Sequence, residues 1–338
     1  MNLSDRLAAA WYAPALTPLA VALVPLSLVF GATSALRRLA YSTGIALSAT
    51  LPVPVIVVGN IAVAGSGKTP LTRALAEELA VRGWRPGIVS RGYGGDEAGP
   101  RAVAIGDDPR QVGDEPPLLA ASGFPVWIGR DRAAAARALL AAHPECNVVI
   151  SDDGLQHYAL ARDFEIAAID AARGFGNGWL LPAGPLRESP SRLREVDAVV
   201  TLVASASQIS SGDGRETTMW HESLPWRNIV DANAVADLSR GQTGELHAIA
   251  GIANPQRFFE LVKSFGLDPV CHAFPDHHRY RREEIDFPRA TAILMTEKDA
   301  VKCATFADAR CWYLPIRARI DPALVDRVER KLRGRQAA

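Results

Sequence analysis

Cysteine is scarce. Four residues (Cys146, Cys271, Cys303 and Cys311) are spread over 338, with no CxxC pair and no zinc-ligand spacing, which excludes a disulfide scaffold and a zinc ribbon. The pattern suits a reducing compartment, with each Cys a small buried hydrophobe. Surplus charge is lacking as well: Lys and Arg total 37, as do Asp and Glu. No bulk basic charge is available to grip nucleic acid, so no nucleic-acid partner is expected and any phosphate site is local. Gly (27), Pro (23), 48% apolar and 22% charged residues exclude disorder, collagen and low complexity. The length suggests about two domains.

Charge is absent altogether from Leu7 to Leu36, a run of 30 residues between Arg6 and Arg37. A membrane-spanning helix needs about 20. Trp11 and Tyr12 lie where an aromatic belt would sit, and Arg37 and Arg38 close the run, placing the rest of the chain in the cytoplasm by the positive-inside bias. Pro14, Pro18 and Pro25 count against one straight spanning helix, and kinked helices lying in one leaflet fit as well. A buried core helix and a cleaved signal peptide compete with membrane attachment. The signal peptide would export the nucleotide site described next to a place without ATP.

Pro52 to Val58 is a β-branched run suited to a buried parallel strand. Ala62-Val63-Ala64-Gly65-Ser66-Gly67-Lys68-Thr69 follows, then a helix with Leu71, Leu75 and Leu79 on one face and Gly83 placed to end it. This is the P-loop context. Gly65 and Gly67 let backbone N–H groups close on phosphate oxygens at a helix N-terminus. Lys68 reaches the β- and γ-phosphates, and the Thr69 hydroxyl can ligate Mg²⁺. Position 62 is Ala where GxxxxGK[ST] asks for Gly, so the loop is expected to start differently. A second short apolar strand, Asn147 to Ser151, ends in Asp152-Asp153, the Walker-B arrangement for Mg²⁺. Asp-Asp-Gly is also good turn chemistry.

Further strands are expected at Pro86–Ser90, Phe124–Ile128, Phe164–Ile169 and Ala198–Val203, with a helix at Arg132–Ala142. Alternating βα units imply an α/β fold: a P-loop NTPase-like, mostly parallel sheet with helices on both faces, and ligands at the strands' carboxyl ends. Residues 205–244 lose the pattern and read as an inter-domain connection or hairpin. A second, smaller α/β series then begins at Leu246. The expected division is a hydrophobic membrane-associated segment 1–45, a P-loop core 46–204, a linker or hairpin 205–244 and a smaller α/β C-terminal domain 245–338. Asp114, before Glu115-Pro116-Pro117, reads equally as a helix cap or as a base. His277 alone reads as a surface residue.

Read together, these motifs resemble the tetraacyldisaccharide 4'-kinase family of lipid A biosynthesis. The matching stretches are Val58-Gly59-Asn60 with Gly65 to Pro70, Ser90-Arg91-Gly92-Tyr93-Gly94, Val112 to Pro116, Asp152 to His157, Leu181 to Glu188, Gly251 to Pro255, Phe274 to His278 and Met295 to Lys302. The resemblance implies an ATP- and Mg²⁺-dependent kinase. Its acceptor would be the 4'-hydroxyl of a tetraacylated glucosamine disaccharide 1-phosphate, met by a monomer at the cytoplasmic face of the bacterial inner membrane. It makes Asp114 the base, coupled to His277, with Lys68 catalytic. Thr69, Glu115, Asp152 and Asp153 then fall to Mg²⁺, and Arg187 to phosphate charge. A membrane-attached P-loop ATPase acting as a partner switch or transport accessory is the main alternative, and a soluble small-metabolite kinase a second.

Overall fold

The computed structural model describes residues 3–63, 65–208, 214–231, 233–236, 238 and 244–336. Two helices come first, α1 (Leu3–Trp11) and α2 (Pro18–Ser42). Strand β1 (Val55–Gly59) leads through the P-loop into α3 (Lys68–Val81) and β2 (Pro86–Ser90). Then come β3 (Arg101–Ala102), α4 (Pro109–Val112), α5 (Pro116–Ala120), β4 (Val126–Ile128) and α6 (Arg132–Ala142). Strands β5 (Val148–Ser151), β6 (Phe164–Asp170), β7 (Ala198–Leu202) and β8 (Glu216–Ser223) complete this half. The second half holds β9 (Trp226–Asn228), β10 (Val235–Ala236), β11 (Glu245–Ala250), α7 (Pro255–Ser264) and β12 (Val270–Ala273). It continues with β13 (Ala290–Thr296), α8 (Glu297–Cys303), β14 (Cys311–Leu314), β15 (Ile316–Ile320) and α9 (Pro322–Gln336).

The first sheet runs β15-β8-β7-β6-β1-β5-β2-β4-β3. Its pairings are parallel except at the two edges, where β3 and β15 run antiparallel to their neighbours. Every residue of β1 is buried, as alternation in a strand covered on both faces requires. Ile56 and Val58 join a core with Leu71, Leu75 and Leu79 of α3 and Leu324, Val328 and Leu332 of α9. Val55 and Val57 join another, with Ala133, Ala136 and Leu139 of α6. The chain leaves β1 toward β2 and returns from β5 past β1 to β6, so the P-loop stands where the strand order reverses, the usual ligand crevice of such sheets. The second sheet, β10-β9-β14-β13-β11-β12, is parallel over β14-β13-β11-β12.

The mostly parallel sheet with helices on both faces, the smaller second α/β layer and the apolar N-terminal segment are as expected. The stretch 205–244 is more than a connection. It contributes β8 to the first sheet, and a hairpin of β9 and β10 to the second. The C-terminal end likewise returns to the first sheet, with β15 against β8 and α9 in the first core. The chain therefore crosses between the two layers twice.

Helix α2 runs unbroken through Pro25, with Thr17 as its N-cap and Pro18 at its first position. Its 25 residues span about 37 Å, enough for a hydrocarbon core of about 30 Å. One face is docked: Ser27 Oγ donates to Leu180 O and accepts from Ala183 N, both at 2.9 Å. Val21, Leu26, Leu28, Val29, Leu36 and Leu39 are exposed. A buried core helix would not leave this many large apolar side chains uncovered.

Candidate functional site

Gly67 caps α3 with φ +74°, and a Cβ there would come within 2.7 Å of Met219 Cε. Glycine is favoured there by the left-handed backbone, and a Cβ would also push the Met219 methyl aside. Ala62, by contrast, sits in an antiparallel bridge to Leu186, outside the left-handed region. An alanine is accommodated there because the loop starts as extended chain. The Val63 N–H donates to Pro185 O at 2.8 Å, which ties the loop to the Leu181–Glu188 stretch. Ser66 is buried, and its Oγ has no partner among the described residues. Ala64 lies outside the described residues.

Lys68 Nζ lies 3.7 Å from Asp153 Oδ1. Arg187 grips the same carboxylate at 2.9 and 3.1 Å. Burial works to raise the Asp153 pKa, but Lys68 and Arg187 outweigh it and hold it at about 2. Asp153 is thus the counter-ion of both Lys68 and Arg187, on a residue with φ +45°. Asp152 turns the other way. It is fully buried, with Thr72 Oγ1 donating at 2.9 Å and the Thr69 hydroxyl 3.3 Å away. That hydroxyl is also 3.4 Å from Glu115 Oε2.

Burial, then Glu115 and Asp153, push Asp152 up to about 7. Two carboxylates meet at one hydroxyl here, and Glu115 also pairs with Lys298. A hard divalent cation with oxygen ligands fits this corner. Thr69, Glu115 and Asp152 are the groups brought together at this corner. The Asp153 carboxylate is taken by Arg187 and Lys68.

Asp114 and His277, 163 residues apart, meet across the two sheets: His277 Nδ1 is 3.0 Å from both Asp114 oxygens. The cap reading of Asp114 is not realised. Glu115 holds the N-cap position of α5, without a side-chain cap bond. Burial works to raise the Asp114 pKa, but the His277 hydrogen bond and the Lys298 charge hold it below the usual carboxylate range. His277 has φ +60°, and a ring edge contact to Tyr93 at 5.0 Å. Among the described residues, Asp153 and His277 are the two non-glycines with positive φ. Both stand at this site, where such backbone strain tends to collect.

Lys298 was not singled out from the sequence, although it lies within Met295–Lys302. Its Nζ donates to Glu115 Oε1 at 3.2 Å and Asp276 Oδ1 at 3.3 Å. Arg73 reaches Glu297 of the second layer at 3.5 Å, and Arg257 reaches Asp170 of the first at 3.7 Å. No local pattern marks these pairs.

One cleft of about 1510 Å³ joins the parts. Gly65 to Thr69, Glu115 and His277 line it, and so do Leu7, Trp11, Phe30 and Arg37 of the N-terminal helices. Asp114, 5% exposed, lies behind this wall.

His157 and His221 also line the cleft, and Nε2 of each has no partner among the described residues. Burial, aided by Arg132 and Arg257 respectively, lowers both to about 4 from the ordinary 6.5. The unfolded chain then binds protons that the folded chain refuses. The contribution of these two histidines to stability is complete above about pH 6.5 and is lost as pH falls toward 4. The melting temperature is expected to drop between pH 7 and pH 5, and His221→Gln to reduce that drop. An identical drop in the variant would place the acid sensitivity elsewhere.

The model of the family described as tetraacyldisaccharide-1-P 4'-kinase matches residues 19–333. The tetraacyldisaccharide 4'-kinase of Dechloromonas aromatica (strain RCB) is 51% identical over 319 residues, covering 94% of this chain and 93% of its own. That of Azoarcus sp. (strain BH72) is 49% identical over 323 residues, covering 95% and 94%. The crystal structure of LpxK from Aquifex aeolicus in complex with ATP superposes with a TM-score of 0.77 at 28% identity, covering 93% of this chain and 99% of that one.

Proposed function

This chain belongs to the tetraacyldisaccharide-1-P 4'-kinase family, and we propose that its Asp114–His277 pair takes the proton from the acceptor hydroxyl while Lys68 steadies the phosphoryl group in transfer. The reaction is the ATP- and Mg²⁺-dependent phosphorylation of the 4'-hydroxyl of a tetraacyl glucosamine disaccharide 1-phosphate, a step of lipid A biosynthesis. Family membership sets the ATPase alternative aside.

The observation that carries the assignment is the 3.0 Å contact between Asp114 and His277. It joins the two sheets at the wall of a cleft that also holds the P-loop. A sugar hydroxyl is a weak acid, and attack on a phosphoryl group is eased by a positioned base. Asp114 is kept anionic by its neighbours, and His277 orients it. The P-loop amides and the N-terminus of α3 cradle the triphosphate. Arg187 and Lys68, held in place by Asp153, face its charge. Thr69, Glu115 and Asp152 would hold Mg²⁺, which when bound neutralises charge on the terminal phosphates.

Membrane association follows from the acceptor and from α2, whose apolar side chains are left uncovered. Leu7, Trp11 and Phe30 continue the cleft wall toward that surface, so an acyl-bearing acceptor could present its sugar without leaving the bilayer. Arg37 and Arg38 close the run and support the cytoplasmic face of the inner membrane. Two measurements test this reading. Label from γ-labelled ATP is expected in a chloroform-extractable disaccharide, and its release solely as inorganic phosphate would contradict the kinase. Full-length protein is expected to sediment with membranes in detergent-free buffer, and recovery in the supernatant would remove the attachment.

A further inference from the structure

Lys298 reaches from the second layer to both acidic residues of the Gly113–Pro117 loop. Its Nζ is 3.2 Å from Glu115 Oε1, 3.6 Å from Asp114 Oδ2 and 3.3 Å from Asp276 Oδ1. The two oxygens of Glu115 thus face different partners, Oε1 toward Lys298 and Oε2 toward the Thr69 hydroxyl. Without the ammonium, three carboxylates would crowd one imidazole, and like charges at this range repel strongly where water is scarce.

The element that offers Lys298 is firmly held. It lies in the first turn of α8, whose N-cap Thr296 hydroxyl is 3.1 Å from Asp299 N and 2.6 Å from Asp299 Oδ2. Asp299 is fully buried. It accepts from Gly251 N at 3.1 Å and Tyr280 Oη at 3.2 Å, and pairs with Lys302 at 2.7 Å. A Cβ on Gly251 would meet Tyr280 Oη at 2.7 Å, so that approach leaves no slack. This frame fastens α8 to the loop that ends at Tyr280, three residues beyond His277. Lys298 and His277 therefore reach the first layer from one rigid support.

We propose that Lys298 is a positioning residue of the transfer reaction: by pairing with Glu115 it docks the second layer onto the Asp114–Glu115 loop and so sets Asp114 against His277. An ammonium suits this task because its three donors rotate to meet three carboxylates from different directions, whereas a planar guanidinium presents a fixed fork. The proposal rests on the base assignment above and adds what aligns it.

The test uses full-length protein in detergent micelles, with Mn²⁺ as the metal probe. In Lys298→Met, kcat is expected to fall about 50-fold, while KM for ATP and the Mn²⁺ affinity of the ATP-loaded protein, read by electron paramagnetic resonance, stay within about threefold. Lys298→Arg is expected to recover kcat to within about tenfold of wild type. A loss under about tenfold in Lys298→Met, or binding that weakens by more than about threefold, overturns the proposal, because general damage to the site moves binding and turnover together. Should Lys298→Met not fold, Lys298→Arg decides. Its kcat is then expected to fall at least about threefold at unchanged binding, and a wild-type kcat overturns the proposal. Asp114→Ala is run alongside. Loss there with wild-type turnover in the Lys298 variants refutes this proposal alone, and wild-type turnover in Asp114→Ala refutes the base assignment.

Discussion

Asp114→Ala is expected to lower kcat by about 10³-fold, within the range a positioned general base contributes, while KM for ATP changes little. The split follows from the geometry. Asp114 touches His277 and Lys298, whereas the P-loop groups that grip the nucleotide lie on the Lys68 and Asp153 side. Removing the carboxylate leaves the phosphate cradle intact but breaks the Asp114–His277 pair that takes the acceptor's proton. His277→Ala is expected to lose about 10²-fold, since the imidazole orients and charges the pair rather than binding ATP. His277 lines the cleft and Asp114 stands behind it, so the two act as a unit. Their double variant should lose little more than Asp114→Ala alone, because residues that act together are not additive. Steady-state kinetics on the three variants with a disaccharide acceptor check this. An unchanged kcat in either single variant removes that residue from the mechanism.

Much of this was legible in the sequence, and what was not has a physical reason. The β-branched run before the P-loop had to be a central strand, because such a run buries both faces, and all five residues of β1 do so. Gly67 and Gly83 carry positive φ, as a loop cradle and a helix stop demand. Strand β8 escaped notice. It is a polar segment with Trp220 and His221, and what makes it a strand is β7 on one side and β15, nearly a hundred residues later, on the other. Pairing at that distance leaves no local periodicity. The same holds for Lys298: its charge partners lie in another layer, and one lysine in a helical turn is ordinarily a solvated residue. Asp152 and Asp153 read as one acidic pair, yet the left-handed backbone at Asp153 aims them at different partners. The meeting of Asp114 with His277 came with the family resemblance, since neither spacing nor composition joins two loops 163 residues apart.

Lys68→Ala is expected to cost about 10³-fold in kcat, the scale on which single charged or donor groups at a transferring phosphoryl act. Each tenfold is about 1.4 kcal/mol of barrier, so about 4 kcal/mol of stabilisation is assigned to this ammonium. The surroundings explain why it would be worth that much. Lys68 has a side chain 11% exposed and a counter-ion, Asp153, already locked by Arg187. Its ammonium is thus held ready, and water cannot screen it as it would a surface lysine. Removing it also releases Asp153 from one partner, but Arg187 still holds that carboxylate at 2.9 Å, so the loop keeps its shape. Arg187→Ala should therefore cost less than Lys68→Ala, and the double variant should fall below either, because the half-buried Asp153 then loses both of its cations. Single-turnover transfer from γ-labelled ATP measures the order. Wild-type transfer in Lys68→Ala would show that the loop is not the phosphate cradle. A larger loss from Arg187→Ala would move the principal charge to the arginine.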